Sequence, residues 1–68
     1  MYHIKYETNG IERDYADSYP DKRNAVDEAV RISLVLSELL PFTITVYKEI
    51  PYCTPVQVFR IVNYDEFN

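Results

Sequence analysis

The chain has 68 residues, 11 of them acidic and 7 basic, for a net charge of −4; that length allows one domain, and that charge disfavours wrapping DNA or RNA through its phosphates. Hydrophobic residues make up 47% and charged residues 26%, the balance of a folded globule and not of a disordered tail. A single cysteine excludes an internal disulfide, a single histidine leaves no ligand set for a structural metal, and no apolar run approaches the roughly 18 residues of a bilayer span.

Residues 2–8 alternate. Tyr2, Ile4 and Tyr6 oppose His3, Lys5 and Glu7, the period of a half-buried strand. Asn9-Gly10 follows, and Gly10 is the chain's single glycine. Asn-Gly is the preferred pair for a two-residue type I′ turn because both positions need positive φ. The turn predicts a hairpin of strands 2–8 and 11–17, with Thr8 opposite Ile11, Tyr6 opposite Arg13, Lys5 opposite Asp14 and Ile4 opposite Tyr15. Tyr2, Ile4, Tyr6, Ile11 and Tyr15 then share the core face. Lys5 and Asp14 form a favourable cross-strand pair, while Glu7 and Glu12 meet as like charges.

Ser18-Tyr-Pro-Asp21 reads as a connection, with Pro20 stopping the strand and Asp21 as N-cap. From Lys22 to Leu40 the period is helical. Ala25, Val26, Ala29, Ile32, Ser33, Leu36, Leu39 and Leu40 fall on one face, and Arg23, Asn24, Asp27, Arg31 and Glu38 fall opposite. Arg23–Asp27 and Asp27–Arg31 are i,i+4 pairs. Pro41 ends the helix. Val30 and Leu34, one turn apart, and Val35 on the other flank are apolar residues that a helix on a single sheet does not need. Either a small protein leaves them exposed or covered by a loop, or Val30 and Leu34 make a self-association contact.

Residues 42–50 alternate again and are rich in β-branched and aromatic side chains, so they form a strand. Pro51 to Pro55 is a loop, and residues 56–63 form the last strand. Pairing Lys48 with Gln57 sets Val46 against Phe59 and Ile44 against Ile61 on the core face. Thr43, Thr45, Tyr47, Val58, Arg60 and Val62 then take the other face. Residues 64–68 are a short acidic, aromatic tail. The order is ββαββ, an α+β fold of one antiparallel or mixed sheet with a single helix on one face, within a single domain spanning 1–68. The strand order stays open, including a parallel junction between the two hairpins.

Catalytic chemistry finds little purchase. His3 has a suitable pKa for a base, but a base needs a nucleophile or an orienting partner, and its plain reading is a solvated strand residue. Cys53 has no adjacent cation to lower its pKa and reads as an incidental thiol in a reducing cytoplasm. The acids Glu7, Glu12, Asp14, Asp17 and Asp21 cluster in the first third, with Asp27 and Glu28 following on the helix, and are unconvincing as an acid–base pair. As surface they either keep the chain soluble or present phosphate-like charge to a basic groove. Tyr47, Val58, Arg60 and Val62, on the sheet face away from the helix, mix aromatic, aliphatic and cationic groups, a composition suited to protein contact surfaces.

In architecture the chain resembles compact anti-CRISPR and other anti-defence inhibitors encoded by phages and mobile elements. The residues carrying the resemblance are the turn Thr8-Asn9-Gly10, the helix 21–30 and the strand Thr43-Ile-Thr-Val-Tyr47. It implies a non-catalytic protein that works by occupying a partner's surface. The expectation is therefore a cytoplasmic binding protein without cofactor or metal that inhibits or adapts a larger, nucleic-acid-handling protein. It would bind through Asp14, Asp17, Asp21, Tyr47 and Arg60, touching neither nucleic acid nor membrane. The alternative is a structural homodimer or assembly subunit sealed by Val30 and Leu34.

Overall fold

A computed structural model describes residues 1–38, 41–63 and 65–67. The elements in chain order are β1 (Tyr2–Thr8), β2 (Ile11–Tyr19), α1 (Lys22–Val35), a 3₁₀ turn (Leu36–Glu38), β3 (Phe42–Lys48), β4 (Val56–Val62) and β5 (Asp65–Phe67). They form an α+β fold with one five-stranded sheet of order β2-β1-β3-β4-β5. Every neighbouring pair is antiparallel, including the β1–β3 junction between the hairpins.

The β1–β2 turn adopts the expected conformation, with Asn9 at φ 53° and Gly10 at φ 79°. Thr8↔Ile11, Glu7↔Glu12, Tyr6↔Arg13 and Lys5↔Asp14 pair as the turn dictates. Beyond Lys5 the register slips, and His3 faces Ser18 while Tyr2 faces Tyr19. Residues 15–17 of β2 therefore bulge opposite Ile4, so the expected Ile4–Tyr15 pairing gives way and β2 runs on to Tyr19. Bulges of this kind bend and twist the strand that carries them. Ile11, expected in the core, is 55% exposed; it sits at the hairpin tip on the edge strand.

Asp21 occupies the N-cap of α1 with extended backbone, and its carbonyl accepts the Ala25 N–H at 3.2 Å. Its carboxylate takes no backbone amide and accepts instead from Asn24 Nδ2 at 3.4 Å. The regular helix stops at Val35, short of Pro41, and Leu39 and Leu40 lie outside the described residues. Ala25, Ala29, Ile32, Ser33 and Leu36 are buried, as the helical period predicts. They pack on Ile4, Phe42, Ile44, Val46, Phe59 and Ile61 from the sheet. The predicted i,i+4 pairs through Asp27 do not form. Arg31 takes Glu28 instead.

The β3–β4 pairing sets Val46 on Phe59 and Ile44 on Ile61, as expected. A second bulge at Val58 then moves Tyr47 onto Gln57 and Lys48 onto Val56. Val58, expected on the outer face, packs against the core, and Gln57 takes its place outside. Asn63 ends β4 in a left-handed conformation (φ 56°). It accepts the Phe42 N–H on its side-chain oxygen at 3.0 Å and donates its own N–H to the Phe42 carbonyl at 2.8 Å. This turn delivers the tail into β5, a strand that the composition of residues 64–68 does not announce.

Candidate functional site

Because side chains alternate across a strand, the residues that miss the core collect on the sheet face opposite α1. The pairings lay them out in three cross-strand rows. One runs Glu12–Glu7–Thr43–Val62–Asp65, and the middle one Asp14–Lys5–Thr45–Arg60–Phe67. The third runs Ser18–His3–Tyr47–Gln57. The middle row crosses all five strands and unites Asp14 with Arg60, while Tyr47 stands in the next row.

Two hollows indent this face. The larger, about 500 Å³, is lined by His3, Lys5, Asp14, Tyr15, Tyr47 and Glu49, with Thr54 and Pro55 from the β3–β4 loop. It lies where the β2 bulge leaves Ile4 without a directly opposed residue. The smaller, about 190 Å³, contains Glu7, Glu12, Thr43, Thr45, Gln57 and Arg60. Lys5 and Tyr47 belong to both hollows, so the two form one trough with these side chains at its waist.

The charges in the trough are partly spent on one another. Lys5 Nζ lies 3.8 Å from Glu12, 3.9 Å from Asp14 and 5.6 Å from the centroid of the Tyr47 ring. That arrangement holds the lysine between two carboxylates and an aromatic face. Arg60 makes no ion pair among the described residues, so its planar donor fork is free to meet a carboxylate from outside. At the far end, His3 Nε2 lies 2.8 Å from Glu49 Oε2, and the Glu49 N–H donates to the Met1 carbonyl at 2.8 Å. The hydrogen bond from His3, then its charge, hold the Glu49 carboxyl below the usual carboxylate range. Both side chains are open to water, 40% and 56% exposed, so the pair struts the loop against β1 at a wet rim.

The loop carries a feature that sequence reading passed over. Tyr52 has φ 62° and is fully exposed. A bulky side chain in the left-handed region is uncommon and strained, and here it holds an aromatic ring out beside Thr54 and Pro55. The free thiol of Cys53 follows it, also exposed. The one advance signal for Tyr52 was a tyrosine between two prolines, where the chain has few ways to relax.

The remaining candidates are placed elsewhere. Asp17 is exposed on the bulged part of β2 and Asp21 caps α1; neither lines the trough. Val30 is half-buried against the core, while Leu34 is 69% exposed. On the helix side, Tyr15 donates its hydroxyl to Glu28 Oε2 at 2.7 Å, and Arg31 Nε donates to Glu28 Oε1 at 2.8 Å. Arg31 first and Tyr15 second hold the Glu28 carboxyl below its ordinary value, and the bond to Glu28 raises the Tyr15 phenol. This clamp ties β2 to α1 and was not foreseen.

Among the described residues no three His, Cys, Asp or Glu side chains gather as a metal site, and no helix is long and apolar enough to cross a membrane. No known protein family, curated protein or solved structure matches the chain.

Proposed function

We propose that the chain is a non-catalytic binding protein that inhibits or adapts a larger protein by covering part of its surface, in the manner of the anti-defence inhibitors it resembles. The observation that supports this reading most is the trough. It joins Asp14, Tyr47 and Arg60 on the sheet face that α1 leaves bare, and the loop that supplies its Thr54 and Pro55 also carries the exposed Tyr52. Aromatic and arginine side chains dominate the energetics of protein interfaces. Here they sit on strands, whose positions are fixed before the partner arrives, so little ordering is needed on binding.

Charge narrows the partner. Around the trough the acids Glu7, Glu12, Asp14 and Glu49 outnumber Lys5 and Arg60. The fitting partner surface is basic overall, as the working surface of a nucleic-acid-handling protein is, with a carboxylate placed to meet Arg60. The acids repel nucleic acid itself. In a reducing cytoplasm Cys53 stays a thiol.

The test is capture of the partner from source cells on immobilised chain, followed by titration of variants against the purified partner. Tyr47→Ala and Arg60→Ala are each expected to weaken binding by about 30-fold, the effect of losing a contact worth about 2 kcal/mol. Asp14→Asn is expected to weaken it more than Asp17→Asn or Asp21→Asn and to flatten its salt dependence. Binding that ignores Tyr47, Arg60 and Asp14 would remove the trough from consideration. Turnover of any substrate that disappears in His3→Ala or Cys53→Ala would replace the binding reading with an enzymatic one.

A further inference from the structure

From the geometry of α1 we infer that two copies of this chain associate through one flank of the helix, antiparallel about a two-fold axis near Val30. At 100° per residue, Val26, Val30 and Leu34 form a single stripe, one residue per turn. Glu28, Arg31 and Val35 line a hollow of about 280 Å³ with Tyr6 and Tyr15, so that flank of α1 faces the β1–β2 hairpin. The valine–leucine stripe therefore lies on the opposite flank. Val26 and Val30 are half-buried and Leu34 is 69% exposed, so the stripe rises out of the core into water along its length.

Charge selects a second copy as the occupant. Residues 22–38 hold three basic side chains (Lys22, Arg23, Arg31) and three acidic ones (Asp27, Glu28, Glu38). α1 together with its 3₁₀ extension is thus neutral, and the whole charge of −4 resides on the rest of the chain. Two identical acidic chains repel through their sheets and meet with least repulsion through their helices. The ends of the stripe are self-complementary as well. Arg23 lies one turn before Val26, and Glu38 lies four residues beyond Leu34, at the end of the 3₁₀ turn that follows α1. Both are exposed, and neither forms an ion pair among the described residues. An isologous contact pairs residue i with j and j with i. With Val30 on the axis, Val26 meets Leu34 of the second copy, and Arg23 comes beside Glu38 of the second copy at both ends. Small size gives such a contact its value, because a chain this short buries a modest fraction of its apolar surface alone. Both troughs stay uncovered, so the pair presents two binding faces. The inference does not rest on the trough being a binding site.

Analytical ultracentrifugation from micromolar to millimolar concentration tests it. The mass is expected to rise from 8.1 kDa towards twice that value, with Leu34→Asp remaining monomeric and keeping its far-ultraviolet circular dichroism. Arg23→Glu should shift the transition to higher concentration, and Arg23→Glu combined with Glu38→Arg should bring it back. A wild-type chain that stays monomeric at millimolar concentration overturns the inference. So does a dimer indifferent to Leu34→Asp, which would lie elsewhere, and a charge exchange without rescue rejects the antiparallel register.

Discussion

The two faces of the sheet are built from alternate residues of the same strands and have opposite characters. On the face under α1, Ile4, Ile44, Val46, Phe59 and Ile61 are almost wholly buried. One residue away along each strand, Lys5, Thr45, Tyr47 and Arg60 form a polar trough. Packing and open surface are thereby divided by the alternation along each strand, which the bulge at Val58 resets in β4, so a change to one need not disturb the other. Thr45 is the instructive exception. It lies on the open face yet is buried, flanked across the strands by Lys5 and Arg60. The long side chains of these neighbours cover it, as amphipathic stems do.

The division can be broken most forcefully from the buried side. Ile44→Ala is expected to destabilise by about 2–5 kcal/mol, which is comparable with the whole stability of a small domain. The variant should be largely unfolded at room temperature by circular dichroism; a cooperative melt near that of the wild type would show that the buried face does not carry the fold. Tyr47→Ala, three residues on and on the other face, should leave the melt within about 1 kcal/mol of wild type while weakening partner binding.

The hinge between β4 and β5 sharpens the comparison, since Asn63 serves both a left-handed turn and the Phe42 amide. Asn63→Ala loses the side-chain bond and strains the backbone, and is expected to lower stability by about 2 kcal/mol. Asn63→Gly restores the backbone and should recover roughly half of that, as read from chemical denaturation. Equal losses in the two variants would show that the turn conformation contributes nothing.

The smallest effect is the response to pH. Glu28 is held below its ordinary 4.5 by Arg31 and Tyr15. A lowered carboxyl stabilises the fold above its unfolded value, and that contribution is lost as the pH falls through the folded one. Tyr15 is raised above 10.0, so its contribution is complete below 10.0 and is lost as the pH rises through its folded value. Melting temperature should therefore form a plateau between these limits. Arg31→Met should lower the plateau and make the acid-side fall shallower, and an unchanged acid-side fall would dismiss the clamp.

Much of this was legible because it follows from local rules. Asn9-Gly10 specifies one turn type, the turn specifies the register as far as Lys5, and the 3.6-residue period picks out Ala25, Ala29 and Ile32. Alternation likewise brings Ile44 to Ile61. What escaped depends on inserted residues, two in β2 and one in β4, and on the tail. A bulge has no composition signal, so nothing in residues 15–17 or at Val58 announces where the register slips. The slip nevertheless decides that Gln57 replaces Val58 in the trough and that a hollow opens over Ile4. Three residues are too few to show a strand period, so β5 was hidden, and with it the place of Phe67 in the middle row. Tyr52 was hidden because its conformation, not its identity, makes it unusual. Of the candidate acids, the turn placed Asp14 correctly opposite Lys5. Asp17 and Asp21 were grouped with it by sequence proximity, which the slipped register and the helix start dissolve.

The bulge in β2 has one more effect. An outermost strand of nine residues would ordinarily invite a neighbouring molecule to add a strand of its own and extend the sheet without limit. The displaced backbone at residues 15–17 interrupts the row of amides and carbonyls such a newcomer must match, and Glu12, Arg13, Asp14 and Asp17 line the same border with charge. The outer border of β2 is thus closed to a further strand while the trough beside it stays open.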